Sequence, residues 1–122
     1  MATIQDIESF LALARALLDS NKTDFIKGPE EKLALSQLGI SFQDALSMVY
    51  ELTYKNYYRG PSPDHRDKSQ IIWEFGIEDI FEENTYPQTS LYIKLTIRKK
   101  KGDLLMMSFH PAVKPIKYSY NK

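Results

Sequence analysis

Apolar residues recur along this chain first at helical and then at alternating intervals, which divides it into a helical opening and a sheet-forming remainder. Ile4, Ile7, Phe10, Leu11, Ala14, Leu17 and Leu18 predict an amphipathic helix up to about Asp19, and Thr3 with Asp6 has capping-box spacing at its start. A connector follows in which Asp24 to Lys27 is a candidate edge strand. Pro29 then opens a short second helix, with Glu30 and Glu31 in its first turn and Gly39 as its stop. Ser41 and Asp44 repeat the capping-box spacing, and Phe42, Ala45, Leu46, Val49, Tyr50 and Leu52 predict a third helix to about Thr53.

Beyond that point the β-branched and aromatic content rises, over Ile71 to Phe75 and again over Leu91 to Phe109. Leu91, Ile93, Leu95 and Ile97 alternate with Tyr92, Lys94, Thr96 and Arg98, so one face should pack on the helices. In the next strand Leu105, Met107 and Phe109 form the expected inward set, leaving Leu104, Met106, Ser108 and His110 outward. Lys100-Lys101-Gly102 has the length of a three-residue hairpin loop ending in a left-handed glycine, which pairs Lys99 with Asp103. That register sets Ile97 opposite Leu105, Leu95 opposite Met107, Ile93 opposite Phe109, Lys94 opposite Ser108 and Tyr92 opposite His110. The fold expected is α+β, a single domain spanning residues 1–122 with N-terminal helices packed on one face of a small antiparallel sheet.

Composition narrows the function classes. The chain has 122 residues and no cysteine, which removes disulfides and thiolate chemistry and suits a reducing compartment. No run approaches the roughly 18 apolar residues of a membrane span, and Met1 to Ser9 lack the features of a secretion signal, so a cytoplasmic protein with no membrane partner is expected. Formal net charge is zero but unevenly placed: from Asn84 onward eight basic residues face the single Asp103. Such a segment can contact phosphates, and it equally suits an ordinary solvated surface.

On the outward face of the predicted hairpin, Tyr92, Lys94 and His110 offer a hydroxyl, a fixed cation and a group that titrates near neutrality. Cleaving RNA without a metal needs those functions: a 2′-hydroxyl loses a proton, phosphorane charge is stabilised, and the departing 5′-oxygen is protonated. The Tyr57-Tyr58-Arg59-Gly60-Pro61 stretch, read as ending in a turn, adds a guanidinium fork and aromatic faces able to stack on bases. Its plainer reading puts one tyrosine in the core and Arg59 on an ordinary surface. Asp64, His65 and Asp67 suggest a metal-dependent nuclease, but no ligand pair has helical metal spacing, so neither metal nor cofactor is expected. A glycine-rich phosphate loop and a serine nucleophile elbow are both absent.

Taken in order, Leu38-Gly39, Tyr57-Tyr58-Arg59-Gly60, Ile72-Trp73-Glu74-Phe75, Leu91-Tyr92-Ile93-Lys94-Leu95 and Ser108-Phe109-His110 resemble the motility quorum-sensing regulator (MqsR) family of toxins over roughly Ala34 to Ala112. The resemblance implies a fold similar to RelE-type ribonucleases and metal-independent cleavage of single-stranded mRNA. It also implies neutralisation by a co-encoded antitoxin that binds DNA, with no DNA binding expected of this chain alone. By the same resemblance, the family's basic residue after its aromatic pair falls on Arg59, its strand tyrosine on Tyr92 and its basic residue after Ser-Phe on His110. Glu74 stands where the family often has glutamine, and Arg59 and His110 where it has lysine; a carboxylate at 74 can act as base or pair with Arg59. Arg59, Glu74, Tyr92 and His110 are therefore the catalytic candidates, and Tyr58, Trp73, Lys94 and Arg98 the RNA-binding ones. The competing reading is a non-catalytic module that uses the same basic sheet to bind RNA or protein.

Overall fold

Both capping boxes form. In the computed structural model, which describes residues 1–82 and 88–120, Asp6 N donates to Thr3 Oγ1 at 3.1 Å and Thr3 N to the Asp6 carboxylate at 3.1 Å, starting α1 (Ile4–Asp19). Ser41 and Asp44 exchange the same bonds at the head of α3 (Phe42–Tyr50). Between them α2 (Pro29–Leu38) starts on proline and stops where Gly39 turns left-handed at φ 66°. The apolar stripes of α1 and α3, including Ile7, Phe10, Leu11, Ala45 and Val49, meet Phe75, Ile93, Leu95 and Phe109 of the sheet in one core.

Among the described residues the sheet has five strands, β1 (Thr23–Phe25), β2 (Tyr57–Pro63), β3 (Ile71–Ile77), β4 (Leu91–Arg98) and β5 (Asp103–Pro111), in the order β1-β5-β4-β3-β2. The α+β class is as expected, but the sheet is mixed: β1 runs parallel to β5 at one edge. Parallel pairing needs a long connection, and here everything from α2 to β4 supplies it. The edge strand covers Thr23–Phe25, with Ile26 N still donating to Met106 O at 3.0 Å. The stretch from Tyr57 to Pro61, read from sequence as ending in a turn, instead lies within β2, the opposite edge strand. Among the described residues no helix is long and apolar enough to cross a membrane.

The β4–β5 register is right at one end and shifted at the other. Tyr92 pairs with His110, Ile93 with Phe109 and Lys94 with Ser108, as the alternation predicts. Toward the loop, however, Arg98 pairs with Asp103, so the connection is the four residues Lys99 to Gly102, closed by Gly102 N donating to Arg98 O at 2.8 Å. A bulge between the two halves leaves Met107 without a partner in the ladder and reverses the facing of the residues before it. Leu104 and Met106 consequently fill the core, and Leu105 joins Ile72 and Thr96 in a buried row across the other face. Simple alternation cannot reveal an extra residue when Leu104 to Met107 are all apolar.

Candidate functional site

A second bulge builds the site. Tyr57 pairs with Phe75 and Arg59 with Glu74, so two steps along β2 match one along β3. Tyr57 is buried against the helices, whereas Arg59 comes out on the opposite face beside Glu74, with its guanidinium 4.8 Å from the centre of the Tyr58 ring. Gly60 continues the strand at φ 115°, where an added Cβ would lie 2.7 Å from Ile72 O; glycine permits this close approach of backbones.

On that face the ladders place Arg59, Glu74, Lys94 and Ser108 in one row, with Gly76, Tyr92 and His110 in the next. Glu74 is the hub. Its side chain is 4% exposed, yet both oxygens are satisfied: Arg59 Nε donates to Oε1 at 2.8 Å and the Tyr92 hydroxyl to Oε2 at 2.6 Å. The Arg59 side chain remains 62% exposed, so the outer end of its guanidinium is open to a ligand. Burial, reinforced by the hydrogen bond to Glu74 and its charge, pushes the Tyr92 phenol far above the ordinary tyrosine range. The hydrogen bond to Glu74 likewise raises Arg59 above its usual value.

The His110 ring lies against Tyr92, with centroids 5.3 Å apart. Its Nδ1 is 2.9 Å from Pro111 O, a contact that a protonated Nδ1 satisfies. Nε2 lies 3.6 Å from Glu30 Oε2. Beside it Glu31, buried on α2, accepts from Phe109 N at 3.5 Å, at a stretch of β5 that β1 does not reach. Glu30, Glu31 and His110 are the one described group whose ligand atoms lie close enough to share a metal ion, within 4.8 Å of one another. The trio Asp64, His65 and Asp67 forms no such group: Asp64 reaches Lys94 Nζ at 3.7 Å, and Asp67 bonds Ser69.

Tyr58, Arg59, Tyr92 and His110 therefore line one cavity of about 230 Å³, with Glu74 beneath. Lys94 sits one row along, held by Asp64 where the β2–β3 connector folds onto the sheet. Two of the eight candidates lie elsewhere. Trp73, adjacent to Glu74 on a strand, necessarily points to the opposite face, where it stacks on Phe10 at 4.6 Å. Arg98 is at the far end of β4, bound to Asp103 at 2.6 Å and Asp24 at 3.1 Å. Sequence reasoning missed Lys114 and Ile116, which complete the cavity wall, because residues after Pro111 have no periodicity that would place them. Glu30 and Glu31 suited a helix start, and nothing in their spacing links them to His110.

The fold is thus a helix-backed sheet whose outer face gathers a guanidinium, a phenol and an imidazole around one buried carboxylate, a candidate site at the cavity mouth. The chain belongs to the family described as motility quorum-sensing regulator, toxin of MqsA, whose model matches residues 9–111. It is thereby a toxin of a toxin–antitoxin system. No curated protein and no solved structure matches it significantly, so the RelE likeness rests on the family resemblance alone.

Proposed function

We propose that this toxin is an endoribonuclease that cleaves single-stranded mRNA in the cytoplasm by 2′-hydroxyl attack, with no metal in the step. The observation that carries the reading is the anchoring of Arg59 and Tyr92 on the two oxygens of buried Glu74, with the His110 ring alongside. The outer guanidinium of Arg59 binds the scissile phosphate and meets the charge that develops on it, helped by Lys94. His110 Nε2 takes the proton of the 2′-hydroxyl as the 2′-oxygen bonds to phosphorus. The P–O5′ bond breaks, and the leaving 5′-oxygen takes the Tyr92 proton. Imidazolium then returns a proton to phenolate through solvent between the adjacent rings, restoring both groups. The products are a 2′,3′-cyclic phosphate and a 5′-hydroxyl.

Glu74 has neither oxygen free to act as base; it positions the guanidinium and the phenol. Tyr58 is the aromatic available to stack a base, since Trp73 is on the helix side. The partner that restrains the activity is an antitoxin, in keeping with the family's description as toxin of MqsA. Expression in a bacterial host tests the reading: the wild type arrests growth and fragments mRNA, and Arg59→Ala with His110→Ala removes both effects. Arrest that persists in the double variant at equal protein level contradicts it.

A further inference from the structure

Residues 112–120 lie beyond the region matched by the family, yet they are fastened to the fold at both ends. Ala112 N donates to Ser90 O at 2.9 Å, the Tyr118 hydroxyl to Ser90 Oγ at 3.0 Å and the Tyr120 hydroxyl to Ala2 O at 2.6 Å. The Tyr120 ring packs near Tyr57 and Tyr54. In between, the segment crosses the sheet over Gly76: a Cβ added there would lie 2.6 Å from Ile116 Cδ1 and 2.7 Å from the Tyr118 hydroxyl. Gly76 is opposite Tyr92, so the missing side chain is the space in which the segment is seated. This seating brings Val113, Lys114 and Ile116 to the cavity that Tyr58, Arg59, Tyr92 and His110 line.

With Glu74 paired to Arg59, the fixed charges lining this cavity are the cations Arg59 and Lys114, the Glu30 carboxylate lying outside it against the His110 ring, and the new wall sets one cation beside two apolar side chains. That combination suits a nucleotide, whose phosphate needs the cation and whose sugar or base needs the apolar wall. We infer that residues 112–120 form a second nucleotide subsite, in which Lys114 binds the phosphate neighbouring the scissile one and Val113 with Ile116 lines the adjoining sugar or base. The inference rests on the nuclease reading for its choice of ligand. It adds a specificity element supplied by this chain's own extension.

The test titrates the protein with a random-sequence single-stranded oligonucleotide, 2′-O-methylated throughout so that it cannot be cleaved, at several salt concentrations. Lys114→Ala should weaken binding about three- to tenfold and make the salt dependence shallower by about 0.7 in log–log slope. Lys114→Arg should restore both, and Lys117→Ala, on the same segment but outside the cavity, should change neither. Gly76→Val displaces side-chain ends and not backbone, so it should unseat the segment and weaken binding comparably in a protein that still melts cooperatively. Should that variant fail to fold, the Lys114 pair decides. Unchanged affinity and slope in Lys114→Ala overturns the subsite, as does a loss confined to antitoxin binding. A wild type that binds the methylated strand through Lys114 but never cleaves the unmodified RNA contradicts the nuclease reading alone.

Discussion

Tyr92 reaches diagonally from β4 to Glu74 on β3 and donates its phenolic proton across 2.6 Å, while Arg59 occupies the carboxylate's other oxygen. A carboxylate engaged on both sides holds its partners in place. Glutamine keeps one acceptor, its carbonyl, which still holds the Arg59 guanidinium, while its amide NH2 donates to the Tyr92 oxygen; alanine releases the guanidinium and the phenol together. Glu74→Gln should therefore retain cleavage within about tenfold, and Glu74→Ala should lose about 10² or more. Steady-state rates on a single-stranded RNA check this; equal, large losses in both variants would make Glu74 a proton acceptor.

Burial, reinforced by the contact with Glu74, keeps the Tyr92 phenol protonated. Its folded-state pKa is raised, so the protein binds a proton that the unfolded chain releases above pH ~10. This stabilisation is fully present below that pH and is lost as pH rises through the folded value. Ultraviolet titration of wild type and Tyr92→Phe should give the same phenolate absorbance up to pH ~10, where a free tyrosine is half ionised. An excess of one titrating phenol in the wild type would contradict the contact.

Trp73 is the chain's one tryptophan, and it reports on its own placement. Stacked on Phe10 behind the sheet, it should show little quenching or spectral shift when single-stranded RNA binds. Trp73→Leu should lower stability by about 1–3 kcal/mol and leave RNA affinity within twofold, with both effects read by denaturant melting and titration. Strong quenching on RNA binding would mean that a base reaches this ring.

Arg98 ties the β4–β5 hairpin to β1 through Asp103 and Asp24. Arg98→Ala should cost about 1–2 kcal/mol of stability without lowering cleavage at equal folded protein. Hydrogen bonding to Arg98 holds Asp103 below the usual carboxylate range, and Asp24 is held down first by the Phe25 N–H and then by Arg98. Their contribution is thus present above the unfolded carboxylate pKa of ~4 and is lost as pH falls through the lower folded value. Melting curves at neutral and acid pH should converge for wild type and variant as the pH drops.

The helices were legible because their signals are local: a cap, a stripe and a stop lie within a few residues, as at Thr3, Asp6 and Gly39. The pairing of Tyr92 with His110 was equally legible, since any other register mixes the faces at Phe109. The bulges at Tyr58 and Met107 were not, because an extra residue leaves no mark in a run of aromatic or apolar side chains. The first bulge brings Arg59 to Glu74. Glu74 came into the site by family resemblance, and alternation along β3 sets its neighbour Trp73 on the opposite face, where the structure stacks it on Phe10. Lys114 became visible only through the vacancy at Gly76.

The central claim is tested most directly by incubating purified protein with single-stranded RNA in EDTA and identifying the new termini. The account predicts 2′,3′-cyclic phosphate and 5′-hydroxyl ends, formed at least about 10² more slowly by His110→Ala. Cleavage that stops in EDTA, or 5′-phosphate ends, or undiminished rates in both Arg59→Ala and His110→Ala would contradict it.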